Sequence, residues 1–143
     1  MRAIAFIIIL VGWEQLPAQN LVNNGNFETK SYCPGTFNQQ SLNTIAGWWQ
    51  ATDGTPDYFH TCSDKVGVPN NLFGQQPAKD GDGYAGLVTY TIDKKNYREY
   101  LQTKLTRPLA QGEMVCVEMH ISAADFCNYV TDYRIHVLIQ FTN

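Results

Sequence analysis

The chain has 143 residues and a formal net charge of −3, with 10 basic and 13 acidic side chains spread along it rather than gathered in blocks. That dispersal excludes the clustered Lys and Arg by which proteins grip nucleic acid or an anionic membrane surface. Less an export leader, the length provides for one domain of ordinary size with a core of its own, and not for two.

The chain opens on Arg2, an apolar run from Ala3 to Val11, and Leu16-Pro17-Ala18, whose small last residue suits cleavage before Gln19. This predicts a signal peptide over residues 1–18 and a mature domain over 19–143. A membrane anchor would need about 20 apolar residues, and this run covers roughly half of that before Glu14. No cysteine stands where a lipoprotein would carry its acyl chains. Removing the leader takes away Arg2 and Glu14 together, so the mature charge stays at −3. No membrane span is expected after cleavage, and the destination is the periplasm, the outer-membrane surface or the medium.

In chain order, short strands are expected at Asn20 to Glu28 and Gly47 to Thr52. Two more follow at Tyr84 to Thr91 and Tyr97 to Leu105, joined by the polar turn Asp93-Lys94-Lys95-Asn96. The clearest strand is Met114 to Ile121, with Val115, Val117, Met119 and Ile121 on one face and Met114, Cys116, Glu118 and His120 on the other. Its expected partner, Arg134 to Phe141, carries Ile135, Val137, Ile139 and Phe141 on its apolar face. No helical period survives over ten residues of the mature region, so the fold class is all-β, an antiparallel β-sandwich. Long loops, Thr29 to Thr44 and Thr61 to Gly83, fill the gaps and are expected to be functional or pinned. The chain stops at Asn143, two residues past a strand core, which reads as a sandwich shortened at its C-terminus.

Four cysteines in an exported chain favour disulfides over metal or catalysis. Of the three pairings, Cys33 with Cys62 is preferred because both lie in loop sequence that a staple would serve, which leaves Cys116 with Cys127. A zinc site is disfavoured, since no Cys-x-x-Cys or Cys-x-x-His spacing occurs.

The histidines are His60, His120 and His136, and no Gly-x-Ser-x-Gly, His-Glu-x-x-His or Gly-rich phosphate loop accompanies them. The chain is therefore not expected to be an enzyme. Cys116, Glu118, His120 and His136 could share a metal across a hairpin, against the plainer reading of a polar sheet face. Asp80-Gly81-Asp82-Gly83 is similar to the start of a calcium loop but lacks the bidentate Glu of an EF-hand. Either it is a simple Gly-rich turn, or Glu28 and Asp82 hold a structural calcium ion, the one cofactor put forward. Adjacent residues in a strand face opposite ways, so at most one of Trp48 and Trp49 can be core. Trp48 or Trp49, Tyr58 and Tyr84 are candidate ligand contacts, because sugars stack their C–H faces on flat rings; the rival is that these rings are core or meet a protein.

The stretch Asn20-Leu21-Val22-Asn23-Asn24-Gly25-Asn26-Phe27-Glu28 resembles the opening of galactose-binding-like jelly rolls, including many carbohydrate-binding modules. Gly47-Trp48-Trp49, Thr55-Pro56-Asp57-Tyr58-Phe59, Val66-Gly67-Val68-Pro69-Asn70-Asn71, Gly83-Tyr84-Ala85-Gly86 and Asn96-Tyr97-Arg98-Glu99-Tyr100-Leu101 resemble blocks of a narrower group. That group is the N-terminal jelly roll of exported Gram-negative proteins that often precedes an outer-membrane-protein-A-like, peptidoglycan-binding domain. The 143 residues leave no room for such a second domain, so cell-wall attachment is not expected to carry over. The resemblance implies a jelly roll, and a calcium role at Glu28 as in related modules. The function expected is a secreted, non-catalytic surface or binding module for polysaccharide. The alternative is a structural cell-envelope component with a protein partner. An enzyme acting through Glu118 or His120 comes third.

Overall fold

The computed structural model describes residues 19–126. The predicted signal peptide, the expected strand Arg134 to Phe141, Cys127 and His136 lie outside the described residues. Among those described, no helix is long and apolar enough to cross a membrane.

The architecture is strand-rich, as the all-β reading expects: α1 (Gln39–Leu42), β1 (Trp48–Gln50), β2 (Asp57–His60), β3 (Asn70–Asn71), β4 (Gly74–Gln75), β5 (Gly83–Gly86) and β6 (Leu101–Thr103). The strands pair antiparallel as β1 with β6, β2 with β5 and β3 with β4. The single helical turn α1 sits inside the expected loop Thr29 to Thr44. Ser41 and Thr44 hold it by donating their hydroxyls to the carbonyls of Asn38 (2.9 Å) and Ser41 (2.8 Å), the back-bonding that short polar side chains favour.

Strand β2 was not expected. All four of its residues are buried, so the sequence carries no period-two signal there. Conversely, the first expected strand, Asn20 to Glu28, shrinks to one bridge between Val22 and Leu105. Its extended run is broken by Asn24 and Phe27, both left-handed at φ 52° and 61°. Asn24 tolerates that conformation because its amide bonds locally. Its Nδ2 donates to the carbonyls of Thr29 and Ala46, each at 2.9 Å, and its Oδ1 accepts the Thr29 amide at 2.8 Å.

The hairpin expected between Tyr84 and Leu105 is split, since β5 and β6 pair with different partners. Its two arms touch through the Glu99 amide donating to the Val88 carbonyl at 3.0 Å. The connecting turn stands: Lys94 donates its amide to Thr91 Oγ1 at 3.2 Å, and Asn96 is left-handed at φ 62°. Met114 to Ile121 forms no ladder among the described residues, and its apolar side chains Met114, Val115, Val117, Met119 and Ile121 are exposed. A strand exists through its neighbour's hydrogen bonds, and the neighbour expected here lies outside the described residues.

The core is Leu42, Ile45 and Tyr58, with Phe27, Trp48 and Leu101 packed against it. A second apolar centre is aromatic. Phe37, Phe59 and Phe73 meet edge to face at 5.8–6.2 Å, and Tyr84 stacks on Phe59 at 5.0 Å, both arrangements that the ring quadrupoles favour. The Cys33–Cys62 disulfide forms as expected, with Cα atoms 6.0 Å apart, and ties the two long loops together.

Candidate functional site

Ladder β1–β6 separates the two tryptophans. Its register opposes Trp48 to Thr103, Trp49 to Gln102 and Gln50 to Leu101. Trp48 and Leu101 share the inward face and pack on the core, and Trp48 Nε1 donates to the Asn24 carbonyl at 2.8 Å. Trp49 must then face outward, and it is 41 % exposed. The Ala51 amide donates to the Tyr100 carbonyl at 3.3 Å. The pairing thereby extends by one step and puts Tyr100, 45 % exposed, on the same side as Trp49 and Gln102.

The other expected contacts are placed differently. Tyr58 is fully buried and donates its hydroxyl to the Phe27 carbonyl at 2.7 Å. Burial, joined by the charges of Glu28 and Asp82, pushes the phenol far above its ordinary range. A surface ligand has no access to it, so Tyr58 is a core residue. Tyr84 is half-buried on Phe59 and accepts a hydrogen bond from Asn71 Nδ2 at 2.8 Å. Cys116, Glu118 and His120 are exposed. Of these only Glu118 and His120 pair, at 3.9 Å, and the fourth expected member, His136, lies outside the described residues.

Glu28 and Asp82 do come together, and His60 joins them: one ligand-capable atom of each lies within 4.8 Å of the other two. The β2–β5 register opposes His60 to Gly83 and so lays the Asp80–Gly83 turn beside the end of β2. Glu28 Oε1 accepts the amides of Asp82 (2.8 Å) and Gly83 (3.0 Å). The glycines are required. Gly81 is left-handed at φ 71°, and a Cβ there would run into the Glu28 carboxylate. One at Gly83 would come within 2.9 Å of the Tyr58 ring.

His60 is 4 % exposed. Its Nδ1 accepts the Cys62 amide at 3.0 Å, so the neutral ring carries its proton on Nε2. Nε2 is buried with no hydrogen-bond partner. Burial, aided by Lys30, lowers the imidazole pKa against the opposing pull of Glu28 and Asp82. For calcium the fit is poor. Glu28 Oε1 is already taken by two amides, leaving few carboxylate oxygens against the six to eight ligands that Ca²⁺ takes. A transition metal on Nε2 would have to displace the proton that the Cys62 amide assigns to it.

A cavity of about 480 Å³ beside β2 was not legible in the sequence. Its lining includes Phe37, Asp57, Leu72, Phe73, Tyr97 and Glu99. Glu99 is 6 % exposed. Its Oε1 accepts the Thr55 amide (3.1 Å), the Thr55 hydroxyl (3.2 Å) and the Tyr97 hydroxyl (2.7 Å), and Oε2 accepts the Val88 amide (2.7 Å). Asp57, 8 % exposed, accepts the Asn38 amide. Burial raises its pKa, with the Asn38 bond opposing and the charge of Glu99 adding to the rise. A buried carboxylate in a short aromatic strand leaves only one cue in the sequence, an acid where an apolar residue would serve.

Comparison of the chain with protein-family models, with curated proteins and with solved structures found no match.

Proposed function

We propose that this chain is an exported, disulfide-bearing β-sandwich of the jelly-roll kind that binds a polysaccharide without turning it over. The outward face of β1–β6 is the contact. The observation that carries this reading is the parting of the two tryptophans: Trp48 completes the core while Trp49 stands in solvent beside Tyr100 and Gln102. Exposed rings on a hydrogen-bonded ladder offer a sugar's C–H face a stacking surface, and the Gln102 amide can meet its hydroxyls. The Glu28 carboxylate serves in this reading as a clasp that ties the Asp80–Gly83 turn to the first segment.

The test is retention on immobilised polysaccharides by the mature protein and by Trp49→Ala and Trp48→Ala. The expected result is a Trp49→Ala protein that stays folded and loses retention. If the parent itself is not retained, the glycan reading fails and the structural envelope component with a protein partner takes its place; if a folded Trp49→Ala protein is retained as the parent is, the β1–β6 face is not the contact. Addition of Ca²⁺ should leave the unfolding temperature unchanged; a rise on addition that a chelator reverses would restore calcium as the occupant of Glu28 and Asp82.

A further inference from the structure

The cavity beside β2 carries an inference that goes beyond the glycan reading and does not depend on it. Two carboxylates, Asp57 and Glu99, are more than nine-tenths buried along its wall and close enough for one charge to raise the pKa of the other. Among the described residues neither has a cationic partner: the ion pairs there are Arg107 with Glu113 and His120 with Glu118. Proteins rarely bury such charges unpaired. Glu99 is satisfied by four donors, all neutral. Asp57 accepts the Asn38 amide and lies against the Ser41 side chain, both of which favour its charged form, and two carboxylate oxygens can accept more than these.

The same cavity is also lined by the apolar side chains of Phe37, Leu72 and Phe73. A site that pairs acceptor-only groups and negative charge with an aromatic wall complements a cation that brings N–H donors and a carbon frame. The chain's own Lys94 illustrates the attraction. It lines the same cavity, and its Nζ lies 5.1 Å from the centroid of the Tyr97 ring, whose hydroxyl bonds Glu99.

We propose that this cavity takes a ligand bearing a primary ammonium group, its charge set beside the carboxylates of Asp57 and Glu99 and its carbon frame against Phe37, Leu72 and Phe73. An amino sugar and a lysine-like alkylamine both present that chemistry. The experiment is titration of the mature protein, followed by amide chemical shifts, with glucosamine and n-butylammonium. Their neutral counterparts, N-acetylglucosamine and n-butanol, serve as controls.

Shifts at Thr55, Asp57 and Glu99 are expected with at least one ammonium ligand, and the one that binds identifies the source. Asp57→Asn should weaken that binding by about tenfold or more, the loss of one charged hydrogen bond. Lys94→Gln, in an exposed turn, should strengthen it by removing a competing ammonium, and it decides the matter if Asp57→Asn does not fold. Neutral counterparts that bind as well as the ammonium ligands would overturn the proposal, as would a folded Asp57→Asn or a Lys94→Gln protein with unchanged affinity. Trp49→Ala should leave ammonium binding intact, which separates failure here from failure of the polysaccharide reading.

Discussion

Ladders β1–β6 and β2–β5 are similar in length and opposite in design. In β1 burial alternates, so one side chain seals the core while the next faces solvent. In β2 four successive residues are buried, because β5 covers its edge while the Tyr58 side packs on the core and the Phe59 side on the aromatic centre. A strand of the first kind has a face to lend to a ligand. One of the second kind has none, and its polar residues gather at its ends: Asp57 at the cavity and His60 beside the Glu28 clasp.

The contrast breaks first at Tyr58. Replacing it by Ala should cost about 3–5 kcal/mol, the range for losing a large buried ring, because both the ring and the hydroxyl bond to Phe27 disappear. A denaturant midpoint that hardly moves would mean that β2 is not enclosed as described. The tryptophan pair sharpens the comparison within one strand. Trp48→Ala should cost about 3 kcal/mol, whereas Trp49→Ala should stay within about 0.5–1 kcal/mol. Equal costs would place both rings in the core. Glu28→Ala should be intermediate, about 1–2 kcal/mol, since it strands the amides of Asp82 and Gly83 at a partly exposed turn; urea titration of the variant checks it.

The smallest effect concerns pH. The Asp57 pKa is raised on folding above its ordinary 3.8, so its contribution to stability is fully present below that value and is lost as pH rises through the folded-state pKa. Asp57→Asn, neutral throughout, should therefore be more stable relative to the parent at pH 7 than at pH 3. Unfolding temperatures at the two pH values test the sign, and a relative gain for the variant on acidification would contradict it.

What the sequence made legible follows from the same contrast. Trp48-Trp49 could be divided between core and solvent because a strand alternates, and Cys33 with Cys62 because both sit in loop-forming sequence. Glu28, at the end of an expected strand, and Asp82, in a Gly-rich turn, are legible together as oxygen donors to one ion, and the fold does bring them together. His60 escaped notice there, since its place depends on the His60–Gly83 register, a long-range pairing with no local signature. Strand β2 escaped because continuous burial has no period. The first segment has the hydropathy pattern of a strand, on which left-handed residues at Asn24 and Phe27 leave no mark. Met114 to Ile121 shows the opposite error, an alternating pattern without a ladder among the described residues.

The Cys33–Cys62 bond has a topological consequence. It closes a covalent ring that holds α1, β1 and β2, while β5 and β6, which complete their ladders, lie on the tail outside it. With 29 residues of separation, closure removes about 3–4 kcal/mol of chain entropy from the unfolded state on the loop-closure estimate. A protease that cuts once at the exposed Ala51-Thr52-Asp53 stretch therefore opens the ring without dividing the molecule. Both ladders keep all their strands on one connected chain until the disulfide is reduced.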